Sequence, residues 1–282
     1  MRERFEDITE RPVHFGWSLR MDPHIGLSYG SPSFVAEKYG AQLDQLVAAG
    51  DAIGLHPHAW RWQVEQQVWV ADHGNQAWLD ECLELAVRSF RESVGRTPAY
   101  HRFGGQFMST PTMNLLRRLG VGIDLTVEPG EPPNRGFSLP GAVWTGETGD
   151  FRCVPRLPYK PDPDDYTRCA RGSDDGLWEL PLTSSRQVMS RQLIPIMTSR
   201  FSHPARSARG LWRRLAGTRH PRNKLWAPRV PRSDGNLRGY RPLTMWAGQP
   251  RPAHFWDVAF SAAMELAQPY LAFAIRTEMG SH

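Results

Sequence analysis

At 282 residues, with 40% hydrophobic residues and a mean hydropathy of -0.50, the chain is long enough to bury a substantial core and reads as one globular unit. No window approaches the roughly 18 consecutive apolar residues that a membrane-spanning helix needs. The acid-bearing start MRERFEDITERP lacks the apolar core of a secretory signal, so the expected location is cytoplasmic.

The net charge of +5 is unevenly spread, because 200–241 holds twelve Arg or Lys against one acid, Asp234. This Pro-, Arg- and Trp-rich excursion, about 200–245, has the density to meet nucleic acid, anionic headgroups or an acidic glycan. It matches no nucleic-acid module, and the plain expectation is a solvated surface segment. The cysteines, Cys82, Cys153 and Cys169, are odd in number and have no metal-like spacing, which suits reduced thiols.

In chain order, Val13–Leu19 reads as a strand whose rim is Arg20–Asp22. Ser31-Pro32 starts a helix whose apolar residues Phe34, Val35, Tyr39, Leu43 and Leu46 lead to Gly50. A strand at Ala52–Leu55 delivers His56. Asn75 caps a helix in which Leu79, Cys82, Leu83, Ala86, Val87 and Phe90 recur at three- and four-residue steps. Strand Ala99–Phe103 reaches Arg102, Thr110-Pro111 starts the next helix, Gly120 stops it, and strand Val121–Thr126 carries Asp124. Pro and Gly dominate Glu131–Tyr166, which reads as a long loop. His254–Ala267 reads as an amphipathic helix before strand Tyr270–Arg276. Repeated strand, rim residue and helix imply parallel strands with active groups at their C-terminal ends.

His56 and His58 stand two residues apart where an apolar strand runs out. Side chains at i and i+2 of an extended segment point the same way, so the pair can converge on one small target, most simply a divalent metal ion. The alternative is two polar residues at a strand end. Asp22 ends the preceding strand on the same rim as His56, and as an aspartate before Pro23 it also suits a turn or helix cap. Trp60 and Trp62 alternate with Arg61 in what reads as a loop beside the pair, where an indole can stack on a pyranose ring; core packing is the ordinary use of tryptophan.

The run GDAIGLHPHAW (50–60) resembles the second signature of the polysaccharide deacetylases, metal-dependent carbohydrate esterases. YHRFGGQFMSTPTMNLLRRLGVGIDLTV (100–127) resembles their third signature, LWELPLTSS (177–185) a following Glu-Leu-Pro strand, and PYLAFAIRTE (269–278) a late barrel strand. The resemblance implies a distorted (β/α) barrel of about seven parallel strands in a single domain, 1–282. There are departures. Trp60 stands in the place of the family's second histidine, so only His56 maps onto a family ligand, and His58 substitutes on geometric grounds. The Thr-Phe-Asp-Asp first signature is missing; Val13–Asp22 resembles the second strand, so the barrel is expected to be incomplete at the N-terminus, through an upstream start or loss of that strand. The late Leu-x-x-His-Asp signature is also missing, leaving His203 and His254 by elimination.

The function so implied is removal of acetyl groups, amide or ester, from a glycan or glycan precursor. The cofactor is a divalent metal on His56 and His58, zinc first, with cobalt, nickel or manganese as alternatives. By resemblance Arg102 holds a base carboxylate, whose candidates are Asp22 and Asp124; a salt bridge is the structural alternative for Arg102, and a cap for Asp124. Two other readings stay open: an inactive deacetylase-like barrel that binds glycan, and an unrelated amidohydrolase with a His-x-His site.

Overall fold

The computed structural model describes residues 2–10, 12–135, 142–172, 176–186, 240–242, 244–246 and 274–276. Its elements through the first half are α1 (Arg2–Thr9), β1 (Gly16–Leu19), α2 (Pro23–Tyr29), α3 (Phe34–Ala48), β2 (Ala52–Leu55), β3 (Trp60–Gln63), β4 (Val68–Asp72), α4 (Gln76–Val94), α5 (Thr110–Arg118) and β5 (Ile123–Asp124). β6 (Ala142–Thr145), β7 (Trp178–Glu179), β8 (Ser184–Arg186), β9 (Tyr240–Pro242), β10 (Thr244–Trp246) and β11 (Ala274–Arg276) follow.

A layer of parallel segments carries the candidate site. β1 pairs with β2, setting Leu19 opposite Leu55. Leu55 bridges His101, His101 bridges Asp124, and Asp124 lies opposite Glu179, every link parallel. Partners across a sheet point to one side, so Leu19, Leu55, His101, Asp124 and Glu179 form a single buried row. The next residues along the chain, Arg20, His56 and Arg102, emerge at the C-terminal ends. The sequence periodicity is expressed directly in the helices that cover this layer. Leu79, Cys82, Leu83, Ala86, Val87 and Phe90 of α4 are all buried, and Leu83 and Phe90 share one core cluster with Ile53, Leu55, Met113 and Leu116. Burial of each such side chain stabilises by about 1.5–3 kcal/mol. The Asn75 side chain accepts the Trp78 N–H at the start of α4, and Ser109 accepts the Thr112 N–H at the start of α5. All three cysteines are free, Cys82 being buried as its helical position requires.

The expected barrel of about seven parallel strands is overturned: the described residues form sheets of two or three strands, mixed in direction, and no closed barrel. The parallel row among the described residues is short: β5 and β7 have two residues each, and His101 joins only through isolated bridges. Between β2 and the crossover helix α4, WRWQVEQQVWVAD folds as an antiparallel hairpin of β3 and β4, Trp62 opposite Trp69. Its alternation of large apolar residues on both sides of a Gln-rich turn is a strand pattern, with Gln67 in the left-handed region at φ 48°. β6 then adds to β4 in parallel, forming a sheet of its own. Two further expectations fall with this. Trp60 and Trp62 lie on a strand, not in a loop, and the long loop expected over 131–166 contains β6.

β8 pairs antiparallel with β9, and β10 parallel with β11. The helix expected at His254–Ala267, His203 and His254, and nearly all of the basic excursion lie outside the described residues. No helix among the described residues is long and apolar enough to cross a membrane.

One unexpected element of the scaffold is the clamp at Asp51. Its buried carboxylate accepts two bonds from Arg2 at 2.7 Å, the Phe15 N–H at 2.9 Å and the Trp17 indole N–H at 2.8 Å, tying α1 and β1 to the turn before β2. Although burial opposes ionisation, these donors hold the Asp51 carboxyl down at about 2.

Candidate functional site

His56 follows the last residue of β2, and its backbone N–H donates to the Leu19 carbonyl at 2.8 Å. Its ring Nδ1–H donates to the Arg102 carbonyl at 2.7 Å. A carbonyl can only accept, so this bond fixes the tautomer and leaves His56 Nε2 as an acceptor, to which the His58 Nε2–H donates. His58 Nε2 lies 3.2 Å from it, and the two rings are nearly perpendicular at 88°. Burial, with the Arg102 charge adding, lowers the His56 pKa to about 3. His58 is held well below its ordinary value by burial and then by His56. Both rings are therefore neutral at pH 7, the form in which imidazole binds metal.

Two features position His58. Its backbone N–H donates to Asp22 Oδ2 at 3.0 Å, and Arg20 grips the same carboxylate with two bonds of 2.9 Å. Gly104, drawn in by a 2.8 Å bond from its N–H to the Pro57 carbonyl, packs on the ring: a Cβ there would fall under 3.0 Å from His58 Cγ, Cδ2 and Nε2. The Gly-Gly of HRFGGQ thus supplies room for an imidazole.

Asp22, expected on this rim, does reach the histidine loop. It occupies the N-cap position of α2, yet its side chain makes no cap bond there, because the carboxylate is turned to Arg20 and His58. Arg102 pairs with neither Asp22 nor Asp124. Its guanidinium donates to Glu128 at 2.5 Å and to the Leu125 carbonyl at 2.6 Å, and Gln106 binds the other Glu128 oxygen. The expected base-holding pair is thereby corrected to an Arg102–Glu128 pair, since Asp22 is held by Arg20 and the His58 N–H, and Asp124 by His101 and Thr126.

Asp124 belongs to a separate, fully buried group. His101 Nδ1 lies 2.6 Å from Asp124 Oδ1, and Thr126 donates to both Asp124 oxygens through its N–H at 2.9 Å and its hydroxyl at 2.8 Å. Burial works against ionisation of Asp124, but the His101 contact and the Thr126 N–H keep its pKa low. Glu179, beside it in the row, is pushed well above the carboxylate range by burial and then by the Asp124 charge. His101 Nε2 is buried with no partner among the described residues. Sequence reasoning passed over His101, although its place one residue before Arg102 on a strand puts it on the inward side. It also passed over His24, Asp51 and Glu128, and named Arg20 only as part of the rim.

Trp60 and Trp62 share one face of the β3–β4–β6 sheet with Trp69 and Trp144, as the register places Trp62 by Trp69, and Trp60 and Trp144 on either side of Ala71. Trp60 and Trp144 meet edge to face at 6.0 Å. Trp62 lies 5.2 Å from Trp69, and the His24 ring lies 4.2 Å from Trp69.

Chemically, the donor set of the histidine pair fits a divalent ion. Two nitrogens about 2.0–2.1 Å from one tetrahedral ion stand about 3.3 Å apart, close to the 3.2 Å observed. Among the described residues no third His, Cys, Asp or Glu joins them in a metal-holding group. No family model matches the chain. No curated protein matches it.

Proposed function

We propose that the protein is a metal-dependent hydrolase that removes acetyl groups from a glycan or glycan precursor, as its resemblance to the polysaccharide deacetylases implies. The observation that carries this reading is the 3.2 Å approach of two neutral imidazole nitrogens at the C-terminal end of β2. A divalent cation, zinc first, supplies Lewis acidity toward an acyl carbonyl and toward water. The chain's own residues do the positioning. The Arg102 carbonyl orients the His56 ring, Asp22 orients the His58 backbone, and Arg20 holds Asp22. Of the two expected acids, Asp22 is the one bonded to the histidine loop, so proton acceptance falls to it; Asp124 is closed in by His101 and Thr126. The Arg102 guanidinium, taken up by Glu128 and Leu125, orders the rim.

A second reading, glycan binding without catalysis, is favoured by one observation: both Asp22 oxygens already accept bonds from Arg20, and Oδ2 also from His58. Zinc titration by calorimetry, together with acetate release from chitooligosaccharides, separates the two. On the hydrolase reading the wild type binds zinc and releases acetate, and His56→Ala loses both. Zinc affinity unchanged in His56→Ala would remove the basis of the proposal. Sugar binding with neither zinc uptake nor acetate release would leave the second reading.

A further inference from the structure

Of the four tryptophans on the β3–β4–β6 face, two are used up in packing. Trp60 and Trp144 close over Ala71, which is 2% exposed, and His73 meets Trp144 edge to face at 5.0 Å. Trp62 and Trp69 differ. Trp62 is 37% exposed, Trp69 is half-buried beside it, and no acceptor among the described residues takes the indole N–H of either. A tilted pair of indoles offers apolar faces to C–H groups and edge N–H donors to hydroxyl oxygens.

Continuity with the histidine pair comes through His24. Its ring lies against Trp69 at 4.2 Å, and its Nδ1 lies 3.0 Å from the Arg20 guanidinium. Arg20 grips Asp22, and Asp22 accepts the His58 N–H. One unbroken set of contacts therefore runs from the exposed indole to the candidate metal ligands. Arg20 spends its charge on Asp22, and burial, with Arg20 nearby, lowers the His24 pKa. The platform is accordingly aromatic, donor-rich and without net charge. That combination suits a neutral sugar ring, and it disfavours a phosphorylated or carboxylated one.

We infer that Trp62, Trp69 and His24 form a subsite for an uncharged pyranose ring of the substrate, linked to the His56–His58 pair through Arg20 and Asp22. The inference rests on the glycan reading of the site and assigns the recognition of the sugar to this platform, with Trp60 in a packing role. The test is calorimetric titration of the full-length protein with chitotetraose, an uncharged N-acetylated oligosaccharide. Binding by the wild type, an affinity lowered about tenfold or more in Trp62→Ala, and substantial recovery in Trp62→Phe support the subsite. Absence of binding by the wild type, or an affinity that Trp62→Ala leaves unchanged, overturns it. Zinc titration of the same wild-type preparation separates this from the hydrolase proposal: sugar binding that depends on Trp62 without zinc uptake keeps the platform and removes the hydrolase, whereas zinc uptake without sugar binding removes the platform alone.

Discussion

Replacement of Gly104 by alanine is the sharpest probe of the histidine pair, because the added methyl meets one target. Its Cβ would lie under 3.0 Å from three atoms of the His58 ring, where carbon atoms need about 3.5 Å. The ring must therefore retreat by about 0.5 Å or more, or the Phe103–Gln106 turn must lift away. Retreat of the ring moves His58 Nε2 from its place 3.2 Å from His56 Nε2, and lifting of the turn breaks the Gly104 N–H bond to the Pro57 carbonyl that supports the histidine loop. Gly104 has no left-handed backbone, so strain of that kind does not confuse the result. Overpacking of this size costs about 1–3 kcal/mol of stability, and disturbed ligand support lowers metal affinity by about 10- to 100-fold. Zinc titration and urea denaturation of the same protein measure the two effects. Gly40→Ala in α3 is the control, since nothing lies within 4 Å of a Cβ there; removing a helix-interior glycine is expected to raise stability by about 0.5–1 kcal/mol. A Gly104→Ala protein with wild-type zinc affinity and wild-type stability would refute the packing argument, and with it the importance of the imidazole approach.

Asp51→Asn is expected to cost roughly 3 kcal/mol at pH 7, because it leaves the Arg2 charge without its partner and weakens the bonds from Phe15 and Trp17. The Asp51 pKa is depressed to about 2 in the fold against about 3.9 in an unfolded chain. The wild type therefore holds its full advantage above about pH 4 and loses it as the pH falls through 2. Urea midpoints of the two proteins that stayed equally far apart from pH 5 to pH 2 would contradict this. Asn75→Ala removes the acceptor for the Trp78 N–H and is expected to cost about 1 kcal/mol, read as a lower urea midpoint with an unchanged slope.

Local order was legible where neighbouring residues decide it. Asn75 and Ser109 cap their helices through contacts three residues away, and the apolar stripe of α4 is visible as a period. The strand over Ala52–Leu55 was equally plain, and with it the delivery of His56 to a strand end. The hairpin at Trp60–Asp72 was legible in principle, since its alternation is as regular as the helical stripe. It was masked by reading Trp60 and Trp62 as part of a loop ahead of the helix that Asn75 caps.

Partner choice among charged residues was not legible. Arg102 could meet any acid that the fold brought to the rim, and it is Glu128, 26 residues on, that arrives there. Asp124 is taken instead by His101, because the parallel register sets those two side by side on the buried row. By itself the sequence determined α3, α4, α5, the strand that delivers His56 and the placing of two histidines on one side of an extended segment, since these depend on spacing along the chain; α2 and the reduction of Ala99–Phe103 to a bridge at His101 were not foreseen. Only the tertiary structure decided the register between distant strands, the pairing of each buried charge and the retreat of Gly104 beneath His58. Those depend on which segments lie within a few ångströms of one another, and separation along the chain carries no such information.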